Sequence, residues 1–141
     1  MAGFERIKGS DRGFVTRTIS SLATAVGDLM QYSRSAGTVT KATSSTEANS
    51  LAGVVVEATS SSDTQVKLQR ILPGDEYKVD STNNSNTSHN YQRMLLTDEN
   101  AVNNTGTDNT TDEAVFLQTG IIGAVSDKKI VGEFDLYKKT A

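Results

Sequence analysis

Apolar residues in this chain come in short runs that alternate with polar ones, and each run is soon cut off by Gly, Ser, Asn or Asp. A period of two belongs to a β-strand with one face inward and one outward. Val66 and Leu68 alternate with Lys67 and Gln69, and Tyr77 and Val79 with Glu76, Lys78 and Asp80. Ile130, Gly132, Phe134 and Leu136 alternate with Lys129, Glu133 and Asp135. Residues 51–58 and 114–118 are more continuously apolar and β-branched, as central strands are. Further strands are expected over 14–19, 28–33, 38–42, 91–96 and 120–125. The one plausible helix, residues 21–26 ended by Gly27, is short, and its Thr and Val are poor helix formers. About ten short strands divided by turn residues predict an all-β fold, a closed or nearly closed antiparallel barrel or sandwich. Closure removes the free strand edges that would otherwise invite aggregation.

A chain of 141 residues can bury a core and fold as one domain. Hydrophobic residues make up only 35%, yet the net charge is just −3. The missing apolar residues are therefore replaced by uncharged Thr, Ser, Asn and Gly. That composition fits a β-protein with long polar loops better than a disordered chain, which carries higher net charge. The loops are expected at 43–50, 80–90 and 98–113; the second has no apolar residue and the third only Ala101 and Val102. Loops of this length are usually functional or mobile. Pro73-Gly74 marks a turn between two strands. Gly27-Asp28 and Gly74-Asp75 each stand directly before an expected strand, a faint internal echo.

Several chemistries find no support. There is no Cys, so disulfides, thiolate metal sites and Cys nucleophiles are excluded. No stretch of about 18 apolar residues exists to span a membrane as a helix. The first residues lack the apolar core of a signal peptide, so folding in a reducing cytoplasm is expected. His89, the sole histidine, lies in a polar run without a neighbouring acid or nucleophile; a solvated loop histidine is the plainer reading. No signature marks a carboxylate pair. Asp108, Asp112 and Glu113 could offer oxygens to a hard cation, but the run departs from EF-hand spacing and reads as a solvated acidic loop. Gly9-Ser10-Asp11-Arg12-Gly13 lacks the lysine and helix of a phosphate loop. The Asn-x-Ser/Thr sites at Asn83, Asn86, Asn103 and Asn109 are ordinary products of such loops. The chain is net acidic with dispersed aromatics, which argues against nucleic acid. No cofactor is expected, and the protein is expected to work by binding and shape, without an active site.

The charge is unevenly placed. Residues 1–20 carry Arg6, Lys8, Arg12 and Arg17 against Glu5 and Asp11, whereas residues 75–113 carry acids at Asp75, Glu76, Asp80, Asp98, Glu99, Asp108, Asp112 and Glu113. Residues 1–13 have no strand pattern and are expected to form an extended arm that orders against a partner, ahead of a body at 14–141. Phe4, Ile7, Phe14 and Val15 would be the arm's apolar anchors, with Arg6, Lys8, Arg12 and Arg17 meeting an acidic surface. The plainer reading of Phe14 and Val15 is that they close the body's own core.

The order of segments resembles a known family. Ala25-Val26-Gly27-Asp28-Leu29-Met30-Gln31-Tyr32, then Thr38-Val39-Thr40-Lys41-Ala42, then Leu51-Ala52-Gly53-Val54-Val55-Val56-Glu57-Ala58 are similar to the opening strands of tailed-phage capsid decoration (cement) proteins. Leu72-Pro73-Gly74-Asp75-Glu76-Tyr77 and Thr119-Gly120-Ile121-Ile122-Gly123-Ala124-Val125 look like the later strands of such proteins. The resemblance covers residues 14–137, and the long loops at 80–90 and 98–113 depart from the simplest pattern. It implies a β-barrel or β-tulip-like body made in the host cytoplasm. It also implies attachment to the outer surface of the major capsid protein lattice, beside neighbouring copies, and stabilisation of the shell. The family brings no catalytic residues. Other readings are a different virion part (neck, tail or head fibre), a soluble ligand-binding barrel, for which a lined cavity would be required, and a small hydrolase.

Overall fold

The computed structural model describes residues 3–9 and 13–136. Among them are eleven strands, three single-turn 3₁₀ helices and no α-helix. The strands are β1 (Glu5–Lys8), β2 (Phe14–Thr18), β3 (Leu29–Ser33), β4 (Thr38–Lys41), β5 (Leu51–Val55), β6 (Gln65–Gln69), β7 (Glu76–Ser81), β8 (Arg93–Asp98), β9 (Ala101–Asn103), β10 (Phe116–Ile121) and β11 (Lys129–Phe134). The all-β expectation holds, and the strands sort into two groups.

The first group is a closed five-stranded barrel in the order β7-β11-β10-β8-β9. Its seam is a short parallel pairing in which Asp80 meets Ala101 and Ser81 meets Val102. The same edge of β7 also receives β1, with Glu5 opposite Lys78 and Arg6 opposite Tyr77. One strand edge is thus shared, its first half by β1 and its second half by β9. The second group is an antiparallel sheet in the order β2-β6-β5-β3-β4. It rolls until its edge strands β2 and β4 come within 8 Å between Cα atoms, yet no ladder joins them.

Alternation sets what faces inward. On β7, Tyr77, Val79 and Ser81 are buried while Glu76, Lys78 and Asp80 are half-buried. On β11, Ile130, Gly132 and Phe134 point inward. Tyr77, Phe116 and Phe134 fill the barrel with edge-to-face contacts at ring-centroid distances of 5.0 and 5.5 Å. Gly132 makes room for them, since a Cβ there would lie 2.6 Å from the Phe116 ring and 2.2 Å from Leu117 O. The barrel core continues into the rolled sheet through Leu29, Ala42, Ala48 and Val54. The sheet's other face closes over its own core of Ile19, Met30, Val39, Ala52, Val55, Val66 and Leu68. Adjacent residues of one strand therefore serve different cores, as Leu29 and Met30 do on β3. Each large side chain so buried contributes roughly 1.5–3 kcal/mol.

Four expectations need correction. No helix forms over 21–26. Thr24 instead makes an isolated antiparallel bridge to Thr59, with both backbone bonds at 3.1 Å and the two hydroxyls 2.9 Å apart. Threonine hydroxyls that bond across strands favour extended backbone over helix. Residues 1–13 are not an arm that awaits a partner in their described part. Phe4 is 2% exposed in the barrel core, and residues 5–8 are the strand β1. Burying that ring and pairing with β7 outweigh the cost of ordering the segment. Segment 98–113 is not wholly loop either, because it contains β9, anchored by the fully buried Val102. Residues 120–125 are not a separate strand: β10 ends at Ile121.

The polar segments are stitched together by their own side chains. Asn104 accepts from Asn83 N at 2.8 Å and donates to Asn83 O and Asn84 O at 3.1 and 3.0 Å, which ties the 98–113 segment to the 80–90 segment. Residues 43–50 include the buried Thr46 and a 3₁₀ turn, Ala48–Ser50. The Gly-Asp echo is a shared local geometry. Gly27 and Gly74 both have left-handed backbone, with φ of 95° and 87°, and Asp28 and Asp75 after them are both buried. The strands they open are placed differently: β3 lies between β4 and β5, and β7 between β11 and the shared β1–β9 edge.

Candidate functional site

The Gly27-Asp28 turn joins the N-terminal segment to both strand groups. Phe4 N donates to Gly27 O at 2.8 Å, Gly27 N to Val55 O at 2.9 Å, and Leu29 N to Glu99 O at 2.7 Å. Asp28 Oδ2 accepts from Ala25 N at 2.9 Å. Lys41 Nζ stands between Asp28 and Glu99, at 3.9 and 3.7 Å. Burial pushes the Asp28 carboxyl above its ordinary range, opposed by the Ala25 bond and Lys41. Residues that carried the family resemblance are thus a structural hub. They hold in place a groove of about 200 Å³ lined by Glu5, Arg6, Val26, Gln69 and Tyr77, among others.

This groove has two unusual properties. Gln69 Nε2 and the Tyr77 hydroxyl are buried and have no hydrogen-bond partner among the described residues. Burial, then the nearby Asp75 carboxylate, pushes the Tyr77 hydroxyl up to about 12, against an opposing pull from Arg6. One exposed apolar residue lines it, and two more stand beside lining residues in the chain or the ladder. Val26 is 41% exposed and lines the groove. Ile7, 48% exposed, follows Arg6 on β1, and Phe14, also 48% exposed, pairs with Gln69. A buried polar atom without a partner is uncommon in folded proteins.

The partner-binding residues expected from sequence are dispersed by the fold. Phe4 is removed from any surface role, with its ring 5.8 and 5.0 Å from those of Phe116 and Phe134. Arg6 is half-buried along the groove, and Ile7 and Lys8 are exposed on β1. Phe14 is exposed at the start of β2, with the Lys67 ammonium 4.9 Å from its ring. Val15, by contrast, packs against the core of the rolled sheet. Arg12 lies outside the described residues. Arg17 belongs to a different concavity, where its Nε donates to the Tyr32 hydroxyl at 3.3 Å.

That second concavity was not legible beforehand. It gathers Arg17 from β2, Tyr32 from β3, Arg34 from the β3–β4 turn and Arg70 from the end of β6. Arg34 lies over the Tyr32 ring at 5.8 Å and donates to Ser50 Oγ and Asn49 O at 3.1 and 2.9 Å. The one available signal was that Tyr32 and Arg34 stand two apart across the end of an expected strand.

The residues considered for chemistry have structural employment. Asp108 accepts from the backbone and hydroxyl of both Thr110 and Thr111, at 2.7 to 3.2 Å. Those bonds lower its carboxyl to about 2 and occupy the oxygens a cation would need. His89 closes a 3₁₀ turn, Thr87–His89, and its N–H donates to Asn86 O at 3.1 Å. Among the described residues no three His, Asp or Glu side chains gather as a metal site. Comparison with known proteins finds no matching family model, no matching curated protein and no matching solved structure.

Proposed function

We propose that this protein is a non-enzymatic structural component of a virus particle, which attaches to the outer surface of the major capsid protein lattice of a tailed phage and stabilises the head. The observation that carries the reading is the groove beside β1, where the exposed Val26 lines one surface with Arg6, Gln69 and Tyr77, and where Gln69 Nε2 and the Tyr77 hydroxyl have no partner among the described residues. The segment order that resembles decoration proteins supports it independently. A shell offers the same site many times, so modest affinity at each copy suffices when neighbouring copies also touch. In this reading Ile7, Phe14 and Val26 supply the buried apolar contact, while Arg6 and Lys8 meet acidic groups at the rim. Since Phe4 is core, deleting the first residues would damage the fold and say nothing about docking; surface substitutions are the proper test.

The experiment mixes the purified protein with emptied phage heads that lack a decoration protein and measures co-sedimentation. The native chain is expected to pellet at a fixed copy number per capsomer. Ile7→Asp and Val26→Asp are expected to keep the native circular dichroism spectrum and to lose about 2 kcal/mol of binding each. Absence of co-sedimentation, or undiminished binding of both variants, overturns the proposal. Density confined to the neck, tail or head fibre in particle images would assign the protein to another virion part.

A further inference from the structure

The rolled sheet carries a concavity of opposite character. Two hollows of about 390 and 400 Å³ adjoin at the Arg17–Tyr32 pair. The first lies between β2 and the β3–β4 hairpin, and the second beneath residues 48–52 and 70–72. Arg17, Arg34 and Arg70 line them, and no Asp or Glu does. This occurs in a chain with 17 acids and a net charge of −3. Among the described residues none of the three guanidiniums pairs with a carboxylate. Like charges are concentrated here without a counter-charge, an arrangement that draws in an anion.

Two of the guanidiniums are already fixed. Arg17 is held by the Tyr32 hydroxyl and by Thr16 O at 3.3 Å, and Arg34 by Ser50 and Asn49 across the hairpin. An arriving carboxylate meets donors whose orientation costs little further entropy. The walls then select the kind of anion. Val39, Leu51, Ile71 and Leu136 add apolar surface. A strand edge also faces the first hollow. Ile19 N donates to Thr64 O on the β6 side, so alternation along an antiparallel strand turns the N–H and C=O of Thr16 and Thr18 toward the hollow. With β4 within 8 Å of β2 between Cα atoms, side chains can reach this edge and an added strand cannot. An inorganic anion would leave the apolar walls unused, and nucleic acid would find a single ring, Tyr32, on which to stack.

We infer that this concavity docks an extended acidic segment of a partner polypeptide, with its carboxylates on Arg17, Arg34 and Arg70 and its apolar side chains against the walls. The inference stands apart from the capsid proposal, since it concerns another face and a different set of residues. It is tested by fluorescence anisotropy of the full chain with a labelled octapeptide of alternating Glu and Val. Gln–Val and Lys–Val octapeptides and an oligothymidylate serve as comparisons. The Glu–Val peptide is expected to bind, to weaken as salt rises, and to exceed all three comparisons. Arg34→Gln and Arg70→Gln are each expected to weaken it about fivefold. Lys128→Gln, exposed and outside both hollows, is expected to leave it unchanged. No hydrogen bond or ion pair in the described residues depends on Arg70, so that variant separates binding from folding. Equal binding of the Gln–Val peptide overturns the inference, as does undiminished binding by both arginine variants. Tighter binding of the oligothymidylate also overturns it.

Discussion

Phe4 sets its ring against Phe116 and Phe134, and shortening it to Ala leaves a hole in the barrel that rigid neighbouring strands close poorly. Phe4→Ala is expected to cost about 3–5 kcal/mol in a denaturant unfolding experiment, with the slope unchanged. Asp108 is the opposite case, a half-buried surface carboxylate tuned chiefly by local hydrogen bonds from Thr110 and Thr111. Its midpoint in a carboxyl-carbon NMR titration is expected near 2, against an ordinary 3.8. Because the folded value is depressed, the carboxylate favours the folded turn above about pH 3.8, and that contribution fades as pH falls through about 2. Thr111→Val removes one hydroxyl donor and is expected to move the midpoint back up. At this scale sequence was a poor guide to role. Phe4 sits among charges, which suggested a surface anchor, whereas its ring partners lie at the other end of the chain. Of the four apolar positions expected as anchors, Ile7 and Phe14 are exposed, Val15 is partly buried and Phe4 is core.

Among the elements, β6, β7 and β11 were readable because local alternation and tertiary burial agree there. The shortest strands were not. Glu5-Arg6-Ile7-Lys8 has one apolar residue, and it points outward; what makes β1 a strand is the edge of β7, which no local pattern reveals. Ala101-Val102-Asn103 sits among Asn, Asp and Thr and becomes β9 because Val102 completes the barrel core. The helix expected at 21–26 failed for a related reason, since its decisive contact, Thr24 with Thr59, is distant in sequence. On β11, Gly132→Ala would push a methyl into Phe116 and the Leu117 carbonyl. A loss of about 1–3 kcal/mol is expected, measured as a lower midpoint of thermal unfolding. The cationic concavity escaped sequence reading because its three arginines come from three separate elements.

For the molecule as a whole, the barrel closes through a pairing of only two residue pairs, between β7 and β9, as few as join β8 to β10 and fewer than in its other ladders. Hydrogen exchange is expected to be faster at the amides of this seam than in the β10–β11 ladder, as local opening begins where pairing is thinnest. Pairings dominated by distant residues also predict slow folding, on the order of milliseconds to seconds in stopped-flow refolding. The order of synthesis gives β1 a further property. It is made before the other ten strands, yet its partner β7 and the rings that receive Phe4 come much later, with Phe116 on β10 and Phe134 on β11. The β1 segment must therefore wait, and it reaches its place only once β10 and β11 exist. A truncated copy cannot hold Ile7 and Lys8 on a fixed edge. Residues at the two ends of the described segment thus vouch for one another: that edge takes its final form only in a molecule that has made β11.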